Sequence, residues 1–323
     1  MAHNLNGDSM MYVGEEPWHG IGTKLNKPAT AEEAITAAKL NYVVSMTPAL
    51  YQNKKGYNKV EDRYFTIRED TGMYLSDYAL SGNYKVIQNV EAFGFFDSVV
   101  GSKQAIYQTT GALGRGERIW ILAKLPSEIV LKDDRINKFL LLTNSHDGKS
   151  TLKMYFTPVR VVCQNTLIMS QKDSKGGISI RHRGDIKSKI QVAQEVLGIA
   201  KNYYNNLEKE ILAMMGFQMD TKLVDSYYSG LLKIKNDGED STRLLNQKDA
   251  MLLKFDHGKG NDNPKIRHSL WAAYNGVTEY VDHFKTIRNV EKNPSGRLED
   301  IWFGNGSNIK QRAYEQAMVL LSK

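Results

Sequence analysis

The sequence predicts an α+β protein: a β-rich antiparallel half with short helices to about residue 184, then a long heptad-patterned helix and a helical half to residue 323. Three observations carry this. Between residues 42 and 160, β-branched and aromatic runs are broken by Lys, Gly and Asn and by Asp-Gly turns, the signature of successive hairpins. Ile186, Ile190, Ala193, Leu197, Ala200, Tyr204, Leu207, Ile211 and Met214 recur at spacings of four and three, which draws one apolar stripe along a helix. Beyond residue 220, helix-like segments alternate with polar, glycine-bearing loops at "NDGEDS", "HGKGNDNPK" and "NPSG". Two domains, 1–184 and 185–323, are the expected organisation.

The elements follow in order. Thr30 with Glu33 forms a capping box and starts a helix near 31–40. The runs "YVVSMTPALYQ", "RYFTIRED", "MYLSDYAL" and "YKVI" read as hairpin strands. Asn89 is expected to cap a short helix, "VEAFGFFDSVV". "QAIYQTTGAL" and "RIWILAKL" flank the turn "GRGE" as a strand pair, and "FLLLTN" and "TLKMYFTPV" flank "SHDGKS" as another. In the last strand Leu152, Met154 and Phe156 share one face. The pattern inverts past Pro158, so a bulge or a strand edge is expected there, with Arg160 on the formerly apolar side. Asn165 is expected to cap a helix, and Asp185 to cap the long one, whose stripe packs on other helices or on a second subunit.

Composition excludes several classes. The N-terminal segment has no basic-then-apolar signal pattern and no apolar run approaches the ~18 residues of a membrane helix, so no membrane partner and a cytoplasmic setting are expected. One cysteine, Cys163, excludes an intrachain disulfide framework and any multi-cysteine zinc site. Charge is uneven along the chain. Residues 1–100 hold 9 Lys+Arg against 12 Asp+Glu, residues 101–200 hold 16 against 8, and the rest 18 against 16, for nets of −3, +8 and +2. A basic middle of this kind attracts polyanions by releasing their counterions.

Four chemistries compete for the motifs. "GKS" at 148–150 resembles a phosphate loop, but Thr143 stands where its glycine is required and a strand follows in place of a helix. Cys163, with a histidine and Asn165, has the residue types of a thiol centre. His146 at the hairpin tip lies roughly 45 Å from Cys163 along a straight strand at about 3.3 Å per residue, so any partner comes from elsewhere, with His19 and His182 the candidates. Glu279, Asp282 and His283 on one helix are weak candidate metal ligands, and a hydrogen-bonded polar face competes with that reading. Basic residues interleaved with aromatics suit a single nucleic-acid strand, held by backbone charge and base stacking. Lys153, Tyr155, Arg160, Arg181, Arg183, Lys187 and Lys189 are the candidates, with Trp120 as a second stacking ring.

In order, "YVGEEPWHGIG", "GRGE", "TNSHDG", "PVRVVCQNTL", "ISIRH" and "WAAYNGVTEYVDH…FGNG" resemble an uncharacterised family of phage/plasmid-related proteins carrying a domain of unknown function. The resemblance implies a mobile-element protein of the bacterial cytoplasm and supplies no reaction. Gly276 departs from the alanine expected in such a helix. In architecture alone, hairpin, long strand, basic connector and helices are similar to ring-forming phage single-strand annealing proteins, an analogy of fold that does not fix function. The leading expectation is therefore single-stranded DNA binding and annealing by a homo-oligomer without a cofactor. The alternatives are an enzyme using His19, Cys163 and His182, or a non-catalytic anti-defence binding protein.

Overall fold

A computed structural model describes residues 5–14, 22–100, 106–160, 165–166, 177–184, 195–234, 241–287, 296–302 and 304–322. The fold is α+β, with sheets in the N-terminal half and helices in the C-terminal half. The large sheet contains β1 (Leu5–Val13), β2 (Thr23–Leu25), β6 (Ile106–Leu113), β7 (Arg118–Leu131), β8 (Asp134–Ser145), β9 (Leu152–Arg160), β10 (Asn165–Thr166) and β11 (Gly177–Ile180). Its order is β10-β9-β8-β7-β6-β1-β2, and β11 also pairs with β9. A second sheet is built from β3 (Val44–Asn53), β4 (Gly56–Arg68) and β5 (Leu80–Ser81).

Local sequence sets several of these elements. Thr30 and Glu33 make both halves of the capping box for α1 (Ala31–Ala37). Gly114 and Gly116 take positive φ in the "GRGE" turn between β6 and β7. The helices are α2 (Asn89–Val100), α3 (Glu195–Gly216), α4 (Thr221–Leu232), α5 (Thr242–His257), α6 (Leu270–Glu279), α7 (Gly296–Trp302) and α8 (Asn305–Leu321), and α6 runs on into a π-helical turn, Tyr280–Phe284.

Both faces of the large sheet are covered. On one, Ile119, Ile121, Leu140, Leu142, Leu152, Met154 and Phe156 join Phe93, Tyr204, Ile211, Trp271 and Tyr274 in the main core. That core runs across residue 184, so the change there is one of element type. On the other face, Met10, Trp120, Leu122, Phe139, Leu141 and Val159 pack against Ile301 and Trp302 of α7. The α3 stripe at Tyr204, Leu207, Ile211 and Met214 is buried in the chain's own core, so these residues give no support to a subunit contact. The start of the expected long helix, 185–194, lies outside the described residues.

Four local expectations are corrected. β8 and β9 pair through Lys138↔Pro158 without a shift in register, so there is no bulge at the proline. The outer edge of β9 pairs with β11 at 152–155 and with β10 at 159–160, and Pro158 falls between them, where a missing N–H is tolerated. Asn165 lies in β10, opposite Arg160, and starts no helix there. "YKVI" is extended but unpaired by any strand, because its carbonyls are bonded by side chains instead. Asn89 turns its amide inward, donating to Leu40 O at 2.9 Å, and does not cap its helix. Gly276 has a steric reason: a Cβ there would fall 2.7 Å from Tyr228 Oη and 3.1 Å from Met251 O, so α6 crosses its neighbours too closely for alanine.

Candidate functional site

The β8–β9 hairpin ends in a turn that is buried. Asp147 Oδ1 accepts from the Ser145 hydroxyl and from Lys149 N, and Gly148 supplies φ +73. "GKST" is thus a turn, as the sequence predicts. His146 and Asp147 are only 0% and 2% exposed, however, because the second sheet closes over them. Thr66 Oγ1 donates to His146 O at 2.7 Å, Tyr84 Oη to Ser145 O at 2.9 Å, and His146 N to Glu117 O at 2.7 Å. An isolated hairpin exposes its tip; this one is roofed by a β4 hydroxyl and a loop tyrosine.

Beneath this roof three side chains bond the segment from Lys85 to Asn89, two of them through its carbonyls and one through a side chain. Asn144 and His146, two residues apart, project to the same side. Asn144 Nδ2 donates to Ile87 O at 2.9 Å, His182 Nδ1 bonds Lys85 O at 3.0 Å, and His146 Nε2 bonds Asn89 Oδ1 at 2.9 Å. The His182 ring stacks on Tyr84 with centroids 4.9 Å apart. Burial dominates the electrostatics. It pushes His146 down to about 3, helped by the neighbouring His182, and it lowers His182 despite the opposing pull of the Lys85 carbonyl and Asp147. Burial also raises Tyr42 to about 12 and moves Glu117 upward. Both imidazoles are therefore neutral at physiological pH.

A basic margin borders this seam. β11 pairs antiparallel with β9, which puts Ser179 opposite Lys153, and the strand leads into Arg181 and Arg183. Lys153, Arg181 and Arg183 are exposed, and Tyr155 is half-buried against the second apolar cluster. Several cations elsewhere in the basic third make close contacts. Arg115 and Lys149 both reach Asp77, at 2.7 and 2.6 Å, and Lys138 lies 5.3 Å over the Tyr204 ring. Trp120 is corrected outright: at 1% exposure it packs on Trp302 and offers no ring for stacking. Arg160 is placed by backbone register alone, opposite Ile136. Lys187 and Lys189 lie outside the described residues, as do His19 and Cys163. Of the alternative catalytic trio only His182 is placed, stacked on Tyr84 and bonded to Lys85 O.

The helical candidates disperse. Glu279 accepts from Lys259 N at 3.0 Å and pairs with Lys254 at 3.4 Å, and Asp282 pairs with the buried Lys310 at 2.7 Å. His283 is exposed. The i, i+4 alignment of Glu279 and His283 is lost because the π turn changes the register after Glu279. Among the described residues, no three His, Cys, Asp or Glu side chains gather as a metal-ligand group. The helix is also buried all round from Leu270 to Glu279, and on its β-facing side Trp271 Nε1 donates to Asp134 Oδ2 at 2.8 Å.

Sequence reasoning missed the seam itself. Its signal is present in "TNSHDG" and "ISIRH", two motifs about 30 residues apart, but the carbonyls that unite them belong to a third segment with no side-chain motif.

These features define an α+β protein whose candidate site is a buried polar seam beside a cationic sheet margin. The family described as "Domain of unknown function (DUF932)" matches residues 79–302, and the chain belongs to it. It is 44% identical over 141 residues to the UPF0380 protein YfjQ of Escherichia coli K12, an alignment covering 43% of this chain and 46% of that protein. It is 38% identical over 87 residues to the UPF0380 protein YafZ of the same organism, covering 27% of this chain and 31% of that protein. The chain thus spans less than half the length of either of these curated relatives. No solved structure gives a significant match. The seam and the margin both fall inside the matched region.

Proposed function

We propose that the protein binds single-stranded nucleic acid, most simply single-stranded DNA of a phage or plasmid in the bacterial cytoplasm, and that it acts in annealing or recombination. One observation carries this reading: the pairing of β11 with β9 sets Lys153 beside the strand that leads into the exposed Arg181 and Arg183. Cations in a row along a sheet edge track a phosphate backbone without reading its sequence, and the half-buried Tyr155 at the end of the same face offers a ring edge to a base. Lys187 and Lys189 continue the positive run in the sequence.

The double variant R181A/R183A tests it. Binding of a fluorescent oligonucleotide is expected to weaken uniformly across sequences, and the slope of log affinity against log salt is expected to flatten by about 1.4 for two lost single-strand contacts. An unchanged salt slope sinks the assignment.

A further inference from the structure

The β3–β4 hairpin continues past the point where its core contacts stop. Through Pro48↔Tyr64 the two strands pair as part of the second sheet. There the register shifts: Ala49 faces residues 60–63, and pairing resumes at Leu50↔Lys59. A bulge of this kind bends the strand that carries it. Asp62 sits in the bulge at φ 50, and its carboxylate accepts from Gly82 N at 2.9 Å and from the Ser81 hydroxyl at 3.3 Å. Beyond it stands a two-stranded arm in which no residue from 50 to 60 is buried. The tip is nonetheless held by its own side chains. Lys55 N donates to Asn53 Oδ1 at 2.8 Å and Asn58 Nδ2 to Gly56 O at 3.1 Å, which closes a two-residue turn carrying Lys54 and Lys55.

An arm outside the core is explained by what it shows to solvent. Pairing puts Leu50, Gln52, Tyr57 and Lys59 on one face and Tyr51 and Asn58 on the other, with the turn lysines at the end. Tyr57 is 74% exposed, the most of any large hydrophobic side chain among the described residues, and Leu50, Tyr51 and Val60 are exposed with it. Residues 41–60 contain three lysines and no carboxylate, inside a first third whose net charge is negative. Among the described residues no ion pair engages Lys54, Lys55 or Lys59, whereas Arg63 and Arg68 at the base of the arm pair with Asp62 and Asp70. Lysines alone keep other strands off an exposed hairpin. They do not account for tyrosine rings held in water beside them.

We infer that this arm is a second nucleic-acid contact, in which Lys54, Lys55 and Lys59 take phosphates and Tyr57 takes the face of a base. Tyr57 and Lys59 stand two residues apart on one face, roughly 7 Å at about 3.3 Å per residue, so a ring and an ammonium meet neighbouring parts of one strand. Base faces are open in a single strand and stacked away in a duplex, which makes the occupant single-stranded. The inference rests on the nucleic-acid reading above and adds to it a surface on the other sheet, separate from Lys153, Arg181 and Arg183. Averaging charge over thirds of the chain hides it, because the arm lies in the acidic third.

The test is binding of a fluorescent mixed-sequence oligonucleotide by the full chain, in parallel for wild type, R181A/R183A, K54A/K55A/K59A, Y57S and Y57F. The triple variant is expected to bind at least about tenfold more weakly at low salt and to flatten the salt slope by about 2 for three single-strand contacts. Y57S is expected to lose at least about fivefold, while Y57F, which keeps the ring, binds like wild type. Melting temperatures stay at the wild-type value, because the arm is outside the core. An iodouracil-bearing oligonucleotide irradiated on the wild-type protein is expected to crosslink to the peptide holding Tyr57. Unchanged affinity and salt slope in the triple variant overturn the inference, and are the result an arm that docks another protein gives; R181A/R183A then decides the margin reading separately. A wild-type protein that binds no oligonucleotide overturns both. Tighter binding of the matching duplex than of the strand overturns the choice of occupant. Should the triple variant fail to fold, the crosslink decides, and label absent from the arm overturns the inference.

Discussion

The polar seam at the hairpin end and the lysine–carboxylate pairs of the helical half both bury polar chemistry, and they finish it in opposite ways. Lys310 and Asp282 are 0% and 4% exposed and meet at 2.7 Å, and Lys285 meets Asp300 at 2.7 Å nearby. There each buried charge is matched by its opposite, so the arrangement is closed. In the seam Asn144, His146 and His182 each satisfy one atom and leave one lone pair open. The contrast is energetic: buried polarity that closes on itself holds a fold together, whereas buried polarity left open on one chemical side costs the fold stability.

Variants can break or sharpen this contrast. The largest effect belongs to Lys310→Met, which strands Asp282 in the core and is expected to cost about 3–5 kcal/mol in urea unfolding. Pairing it with Asp282→Leu should recover part of that loss, because the penalty comes from an uncompensated charge. If Lys310→Met is neutral, the helical pair is not the closed unit described. Thr66→Val is next. It keeps the shape but removes the donor to His146 O, for about 1–3 kcal/mol by the same measurement. A value near zero would mean that the second sheet does not hold the hairpin end shut.

The third effect is a slope in pH, spread over several pH units. His146 is held at about 3 in the folded state against an ordinary value of 6.5, and His182 is lowered as well. Between these values the unfolded chain binds more protons than the folded one, so stability is full above about pH 6.5 and is lost as pH falls toward 3. Each depressed histidine contributes up to about 1.4 kcal/mol per pH unit in that window. Unfolding midpoints measured from pH 7 to 4 should fall less steeply in His146→Gln than in wild type, and equal slopes would show that His146 does not titrate this way.

Much of the fold was legible because its signals are local. The Thr30–Glu33 capping box, the "GRGE" turn, the Asp-Gly hairpin end and the Leu152, Met154, Phe156 face all behave as their spacing predicts. The failures share a cause. Asn89 and Asn165 have the residue type of a cap, but tertiary partners claim the amide of the first, and strand pairing with β9 claims the backbone of the second. Trp120 alternates as a strand residue should, yet which face α7 covers is a long-range fact. Candidate cations were readable as a cluster in sequence, but Asp77 lies 38 and 72 residues from the Arg115 and Lys149 it neutralises.

What the sequence by itself determined is the order of strands and helices, the turn chemistry and the position of the basic third, since each depends on neighbours a few residues away. The tertiary structure alone decided that the hairpin tip is buried, that α6 is enclosed on all sides, and that Asn144 and His182 bond the backbone of one segment. The physical reason is that buried hydrogen bonds must be satisfied wherever the chain brings donors and acceptors together. Here the acceptors are the carbonyls of Lys85 and Ile87, which leave no mark in the sequence.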